Sequence, residues 1–273
     1  MKLSLPSFLC RETSADNEAV SKPVAQLTGD IKPASLGEVR FQLLVAGVVL
    51  LGGLAAFIFQ LMSGHILRAT EQESKIITQQ VALRVSAMAA YYGSTTALLA
   101  KDPDIAYLLM VGNESALHSR EESLRYAFPK AINVQLLPPG IDEVDMNASP
   151  PLSHAALAQM RAAEAAEAEP PIEVHLFSTP QQHINIARRV EDPAGSGVVG
   201  HLMVSLSADV LQKILSDMRE LDGYIEVQQD GGKGAPVVIA NHGEPSLKQG
   251  DADRVVRIEG SRWQVAYWPA VSG

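Results

Sequence analysis

The chain is poor in cysteine: its 273 residues contain one, Cys10. A lone thiol forms no intrachain disulfide, so no disulfide framework braces the fold, and Cys10 reads as an inert thiol. An excess of basic charge is missing too, with 22 Lys and Arg against 31 Asp and Glu and a net charge of -9. Nucleic acid is excluded as a partner, because holding a phosphate backbone requires a basic face that displaces counterions.

Motifs that carry chemistry are equally scarce. The seven histidines never fall at His-x-x-x-His spacing and no Cys-x-x-Cys occurs, so the chain is read without a metal or cofactor. A Gly-x-Ser-x-Gly elbow is absent, and no Ser/His/Asp order can be assembled. Gly231, Gly232 and Gly234 lack the following Gly-Lys-Ser/Thr of a phosphate loop and precede a strand rather than a helix, so they read as a hairpin turn. The chain is therefore not expected to be an enzyme.

What is present begins with residues 41–62, FQLLVAGVVLLGGLAAFIFQLM, which carry no charged side chain. At about 1.5 Å per helical residue such a run spans the roughly 30 Å hydrocarbon core of a bilayer. Forty residues precede it and no small-x-small cleavage site follows, so it reads as an anchor rather than a removable signal. Lys22, Lys32 and Arg40 before the span, against Arg68 and Lys75 soon after it, favour an N-terminus on the inside. Residues 1–40 mix charges with Pro6, Pro23, Pro33, Gly29 and Gly37 and read as a disordered cytoplasmic tail. Residues 63–273 then lie outside the cytoplasm.

Residues 63–100 contain no proline and place Ile77, Val81, Met88, Tyr92 and Leu99 at spacings of four and seven, which predicts a long stalk helix. The stalk either packs on the domain or pairs with a second copy as a homodimer, although Gln80, Arg84 and Thr95 interrupt such a seam. Asp102-Pro103-Asp104 breaks and recaps the chain, with helices expected over 105–110 and 114–128. Residues 131–137 alternate as a strand, 141–152 form a polar loop, and 153–168 read as an alanine-rich surface helix. Strands follow at 172–178, 184–190 and 198–206, arranged as a meander, then a helix over 208–221 capped by Ser207. Further strands are expected at 224–229 and 237–240, and a hairpin over 255–267 turning near Gly260. This order is α+β: a largely antiparallel sheet over residues 101–273 with helices on one face.

The architecture resembles extracytoplasmic PAS/CACHE-like sensor modules, in which a membrane-emergent helix leads into a sheet that holds a ligand. The strings AINVQLLPPGID (131–142), VHLFSTPQQHI (174–184) and GHLMVSL (200–206) resemble the N-terminal extension of long-form bacterial phosphomannomutase/phosphoglucomutase proteins. That second resemblance implies a bacterial inner-membrane module, periplasmic over 63–273, that localises or regulates a cytoplasmic phosphohexomutase supplying exopolysaccharide and lipopolysaccharide sugars. The mutase's own motifs are missing: Ser153-His154 continues as Ala155-Ala156, Asp230-Gly231-Gly232-Lys233 has one carboxylate, and Met62-Ser63-Gly64-His65 lacks the preceding Gly-Glu of a sugar loop. The alternative is a ligand-sensing input domain of a histidine kinase, chemoreceptor or cyclic-dinucleotide enzyme. A cytoplasmic output joined to a periplasmic module requires a second span, expected soon after Trp268-Pro269 in the parent gene.

Four residues are candidates for ligand binding. Arg188 and Arg189 are adjacent on a strand and face opposite sides, so one enters the covered face and needs an anion, either a small ligand or an internal carboxylate such as Glu173. His175 and His201 either face a shared pocket or are ordinary hydrogen-bonded core histidines. Trp263, Tyr267 and Trp268 are read as core packing or as a belt at a membrane surface.

Overall fold

The computed structural model describes residues 36–165, 169–218, 221–232 and 234–270. Cys10, nearly all of the expected tail, and parts of the helices expected over 153–168 and 208–221 lie outside the described residues. Two compact units are present, Met1–Gln60 and Leu61–Gly273. Helix α1 (Leu36–Leu99) contains the apolar segment Val39–Gln60, with mean hydropathy 2.4 and none of it buried, which is long and apolar enough to cross a membrane.

Within the second unit α1 buries one face. Ser74, Thr78, Val81, Val85, Ala89, Tyr92 and Thr96 recur at three- and four-residue steps and are all buried. Ile77, Met88 and Leu99 pack against the same core, so the seam expected from spacing is spent within the chain. Asp102 ends the stalk and starts α2 (Pro103–Val111): its carboxylate accepts from Asp104 N at 2.9 Å, with Pro103 in the first turn. Gly112 closes α2 at φ 67°, and Asn113 caps α3 (Glu114–Arg125).

The fold is mixed helix and antiparallel sheet, with two four-stranded sheets instead of one. The first runs β1-β4-β3-β2, from β1 (Ala131–Leu137), β2 (Glu173–His175), β3 (His183–Glu191) and β4 (Val198–Ser207). The expected strand 172–178 is cut to three residues because Leu176 and Ser178 take positive φ, 55° and 56°, and turn the chain away. Val134, Leu136, Ile184, Ile186, Leu202, Val204 and Leu206 project into the main core that α1 covers. Ala187 and Met203 face the opposite side, where α4 (His154–Ala165) packs.

Helix α4 exposes one side, as a surface helix does, and packs the other on the second face of the first sheet, although helices were expected on one face alone. Ala156, Leu157, Gln159, Met160 and Ala163 are buried. Gln159 Oε1 accepts from Asn185 Nδ2 at 2.8 Å, and Ser205 Oγ donates to Asn185 Oδ1 at 3.1 Å, so these three buried side chains pair with one another. The alanines that raise helix propensity also let the helix backbone approach the sheet closely.

Helix α5 (Asp209–Ser216) is shorter than expected and its N-cap is Ala208, without a side-chain cap; Ser207, the expected cap, lies one residue earlier and its Oγ accepts from Asp209 N at 3.2 Å. The second sheet runs β6-β5-β8-β7, from β5 (Gly223–Gln229), β6 (Val237–Gly243), β7 (Arg254–Arg257) and β8 (Trp263–Pro269). Gly243 has φ 95°, and a Cβ there would run into the Gly223 carbonyl oxygen. Gln229 joins the sheets as a mock strand residue: Oε1 accepts from Val174 N at 2.6 Å and Nε2 donates to Val174 O at 3.1 Å. Trp263, Tyr267 and Trp268 are buried, at 2 %, 1 % and 6 % exposure, which settles them as packing residues rather than a membrane belt.

Candidate functional site

The C-terminal end of α1, the segment after α4 and the far end of β3 converge on a cleft of about 490 Å³. Its apolar wall comes from Ala97, Ala100, Pro103 and Pro193. Charged residues complete it: Lys101, Arg188 and Arg189 against Glu169, Glu191 and Asp192.

Arg188 lies on the core side of β3 with its side chain 7 % exposed. Its Nη1 donates to Pro170 O at 3.0 Å and to Ala187 O at 2.9 Å, and Nε lies 3.0 Å from Glu169 Oε2. Burial pushes the guanidinium below its ordinary pKa, while Glu169 opposes the shift. The internal carboxylate is thus Glu169 and not Glu173, which instead lies 3.3 Å from Arg262 and 3.8 Å from His175. Gly93 on the stalk makes space for Arg188, since a Cβ there would stand 3.4 Å from Nη2.

Arg189 points to the α4 side and is one-third exposed. Its Nε donates to Glu191 Oε1 at 2.7 Å, and Nη1 lies 3.4 Å from Ala163 O. Asp192 sits at the turn after β3, its carboxyl held below the usual range by the Ser196 hydroxyl and the Ala194 backbone amide.

The two histidines do not share a pocket. His201 pairs across the sheet with Arg189, whereas His175 pairs with His183, six residues away on β3 or about 20 Å at roughly 3.3 Å per residue. His201 is 1 % exposed with Nε2 3.3 Å from Glu164 Oε1. Burial holds its ring pKa below the ordinary value, with Glu164 and the Met160 backbone opposing. His175 is 2 % exposed and meets the His183 ring edge-on at 5.6 Å between centroids. His183 is held low first by burial and also by His175, against the Gln181 carbonyl.

Neither histidine lines the cleft; both arginines do. Lys101, Glu169, Glu191 and Asp192 were missed by sequence reasoning, where they stood only as charges next to helix and strand breaks. Clustering of charge at element ends was the available signal. Among the described residues no group of three or more His, Cys, Asp or Glu side chains is arranged to hold a metal.

No protein-family model matches the chain. No curated protein matches it. Solved structures do. The sensor domain of the V. cholerae histidine kinase DctB superposes with TM-score 0.52 at 11 % identity, covering 74 % of this chain and 97 % of that one. The sensory domain of the Campylobacter jejuni chemoreceptor Tlp3 gives 0.50 at 14 %, covering 75 % and 95 %. The ligand-binding domain of Tlp3 in complex with 4-methylisoleucine gives 0.50 at 14 %, covering 74 % and 92 %. At such identities the likeness is one of fold: this chain has a sensor-domain-like fold, with one candidate membrane helix among the described residues.

Proposed function

We propose that the chain is the ligand-sensing input region of a membrane-anchored bacterial signalling receptor. In this reading Val39–Gln60 spans the inner membrane once, the N-terminal tail is cytoplasmic and residues 63–273 are periplasmic. The output is a histidine kinase, a chemoreceptor or a cyclic-dinucleotide enzyme. The observation that carries the reading is the charged cleft at the end of the stalk, lined by both arginines of β3. Its three cationic and three anionic side chains suit a small molecule bearing both charges, its carboxylate set against Arg189 and Lys101. An amino acid has that chemistry, and the Tlp3 domain is found with an amino-acid ligand.

Ala97 and Ala100 line the cleft, so a ligand that binds better to one stalk position than another shifts the stalk toward it. The exposed stripe Ile76, Leu83, Tyr91 and Leu98, at spacings of seven and eight, is our proposed homodimer face.

The mutase-linked reading rests on three strings that form β1, β2 with its turn, and β4, all framework of the first sheet. The neighbours described above are sensors, and they favour the receptor reading. The test is thermal unfolding of the full chain in detergent with the common L-amino acids and dicarboxylates. At least one should raise the melting temperature in a saturable way; no stabilisation by any of them would leave the cleft without a ligand role.

A further inference from the structure

The second sheet carries on its outer face a cluster that the cleft does not use. Ile225, Val227, Val265 and Tyr267 enter the core, while Tyr224, Glu226, Ala266 and Trp268 alternate to the other side. There the segment 244–253 folds back over them, with Leu247 and Ala252 packed on Tyr224, Ala266 and Trp268.

Glu226 is 1 % exposed, an ionisable group that needs a cation at that depth. Its cation comes from the overlying segment: Lys248 Nζ lies 2.7 Å from Oε1, while Oε2 accepts from Gln228 Nε2 at 2.6 Å. The same ammonium lies 5.3 Å from the centroid of the Trp268 ring, which packs at 5.8 Å against Tyr224. Tyr224 is pushed up to about 12 by burial and then by Glu226, so its phenol stays neutral beside the carboxylate. Across the β5–β8 pair Glu226 faces Ala266, whose short side chain leaves the flank of the carboxylate to the lysine stem.

A carboxylate at the bottom, an aromatic wall and a cation at the mouth are the parts of an organic-ammonium site. Here the cation is tethered. Besides Lys248, the strap is held by the two apolar contacts and by three hydrogen bonds to the sheet: Glu244 N donates to Gly223 O at 3.3 Å, Trp268 Nε1 to Gly250 O at 3.3 Å, and Asp253 N to Tyr267 O at 3.0 Å. The Lys248 side chain is 41 % exposed, so a solvent-borne competitor can reach it.

We propose that Tyr224, Glu226 and Trp268 form a second ligand site, specific for small organic ammonium ions and filled in cis by Lys248, whose displacement frees the strap 244–253. The site is independent of the charged cleft, and neither stands or falls with the other.

The experiment titrates n-butylammonium chloride into the full chain in detergent by calorimetry, with matched sodium chloride as control. Removing the tethered competitor in Lys248→Ala should tighten binding by about tenfold or more, since the empty site ceases to be a minor state. Adding Glu226→Gln to that variant should abolish it. On the wild-type chain, butylammonium should speed trypsin cleavage after Lys248 as the strap lifts, a readout that does not depend on the folding of any variant. Equal affinity in wild type and Lys248→Ala, binding that survives Glu226→Gln, or a cleavage rate that butylammonium leaves unchanged would each overturn the proposal.

Discussion

Arg188 and Arg189 are neighbours in sequence with different tasks, because successive strand residues face opposite sides of a sheet. Arg188 is buried and fixed by two carbonyls and Glu169. Removing it leaves those acceptors without a donor, so Arg188→Ala should cost about 3 kcal/mol in urea unfolding. Arg189 pairs with an exposed Glu191, and Arg189→Ala should cost no more than about 1 kcal/mol. Equal losses in the two variants would contradict these assignments. His183 and His201 make a second prediction. Both are held below the ordinary value of 6.5, so just below that pH the unfolded chain binds more protons than the folded one. Stability should therefore fall as pH drops through about 6.5 and level off below the folded pKa values. Replacing His201 with Asn should flatten the slope in pH-dependent melts; an unchanged slope would mean that the Glu164 contact offsets burial.

Elements with a strong alternating pattern were legible: β1 has the bounds its sequence predicts, β3 is longer by one residue at each end, and β4 by one at its C-terminal end. Asp102-Pro103 announced the start of α2 by cap chemistry, whereas the Asn113 cap of α3 emerged only in the structure. The sheet face that α4 covers was not legible because alanine is ambiguous, serving equally a solvated face and a close helix–sheet contact. In the stalk, spacing identified which residues are apolar, but it could not say whether the domain or a second copy covers them. Val81 faces the core, whereas Leu83 is 71 % exposed. On a Cys10→Ser background, Leu83→Cys in membranes should form a disulfide-linked dimer on mild oxidation, and Val81→Cys should not. Monomers from Leu83→Cys would remove the stripe as a dimer face.

Within the second unit one core ties the stalk to both sheets; Gln229 links the sheets through Val174, and Trp263 Nε1 donates to Gln229 Oε1. The α+β class and the long apolar segment of α1 followed from patterns within single segments. The cleft did not, because its charges come from residues as far apart as Lys101 and Asp192 and meet only once β3 and the stalk are packed together. The proposed receptor reading needs a site next to the stalk, and the cleft is lined by Ala97 and Ala100 near the end of α1. The most direct test is a calorimetric titration of the amino acid or dicarboxylate that stabilises the full chain most, into wild type and Arg189→Ala. Binding should be saturable and weaken by about tenfold or more in the variant, the loss of one charge-assisted contact. Binding of equal strength in both proteins would contradict it.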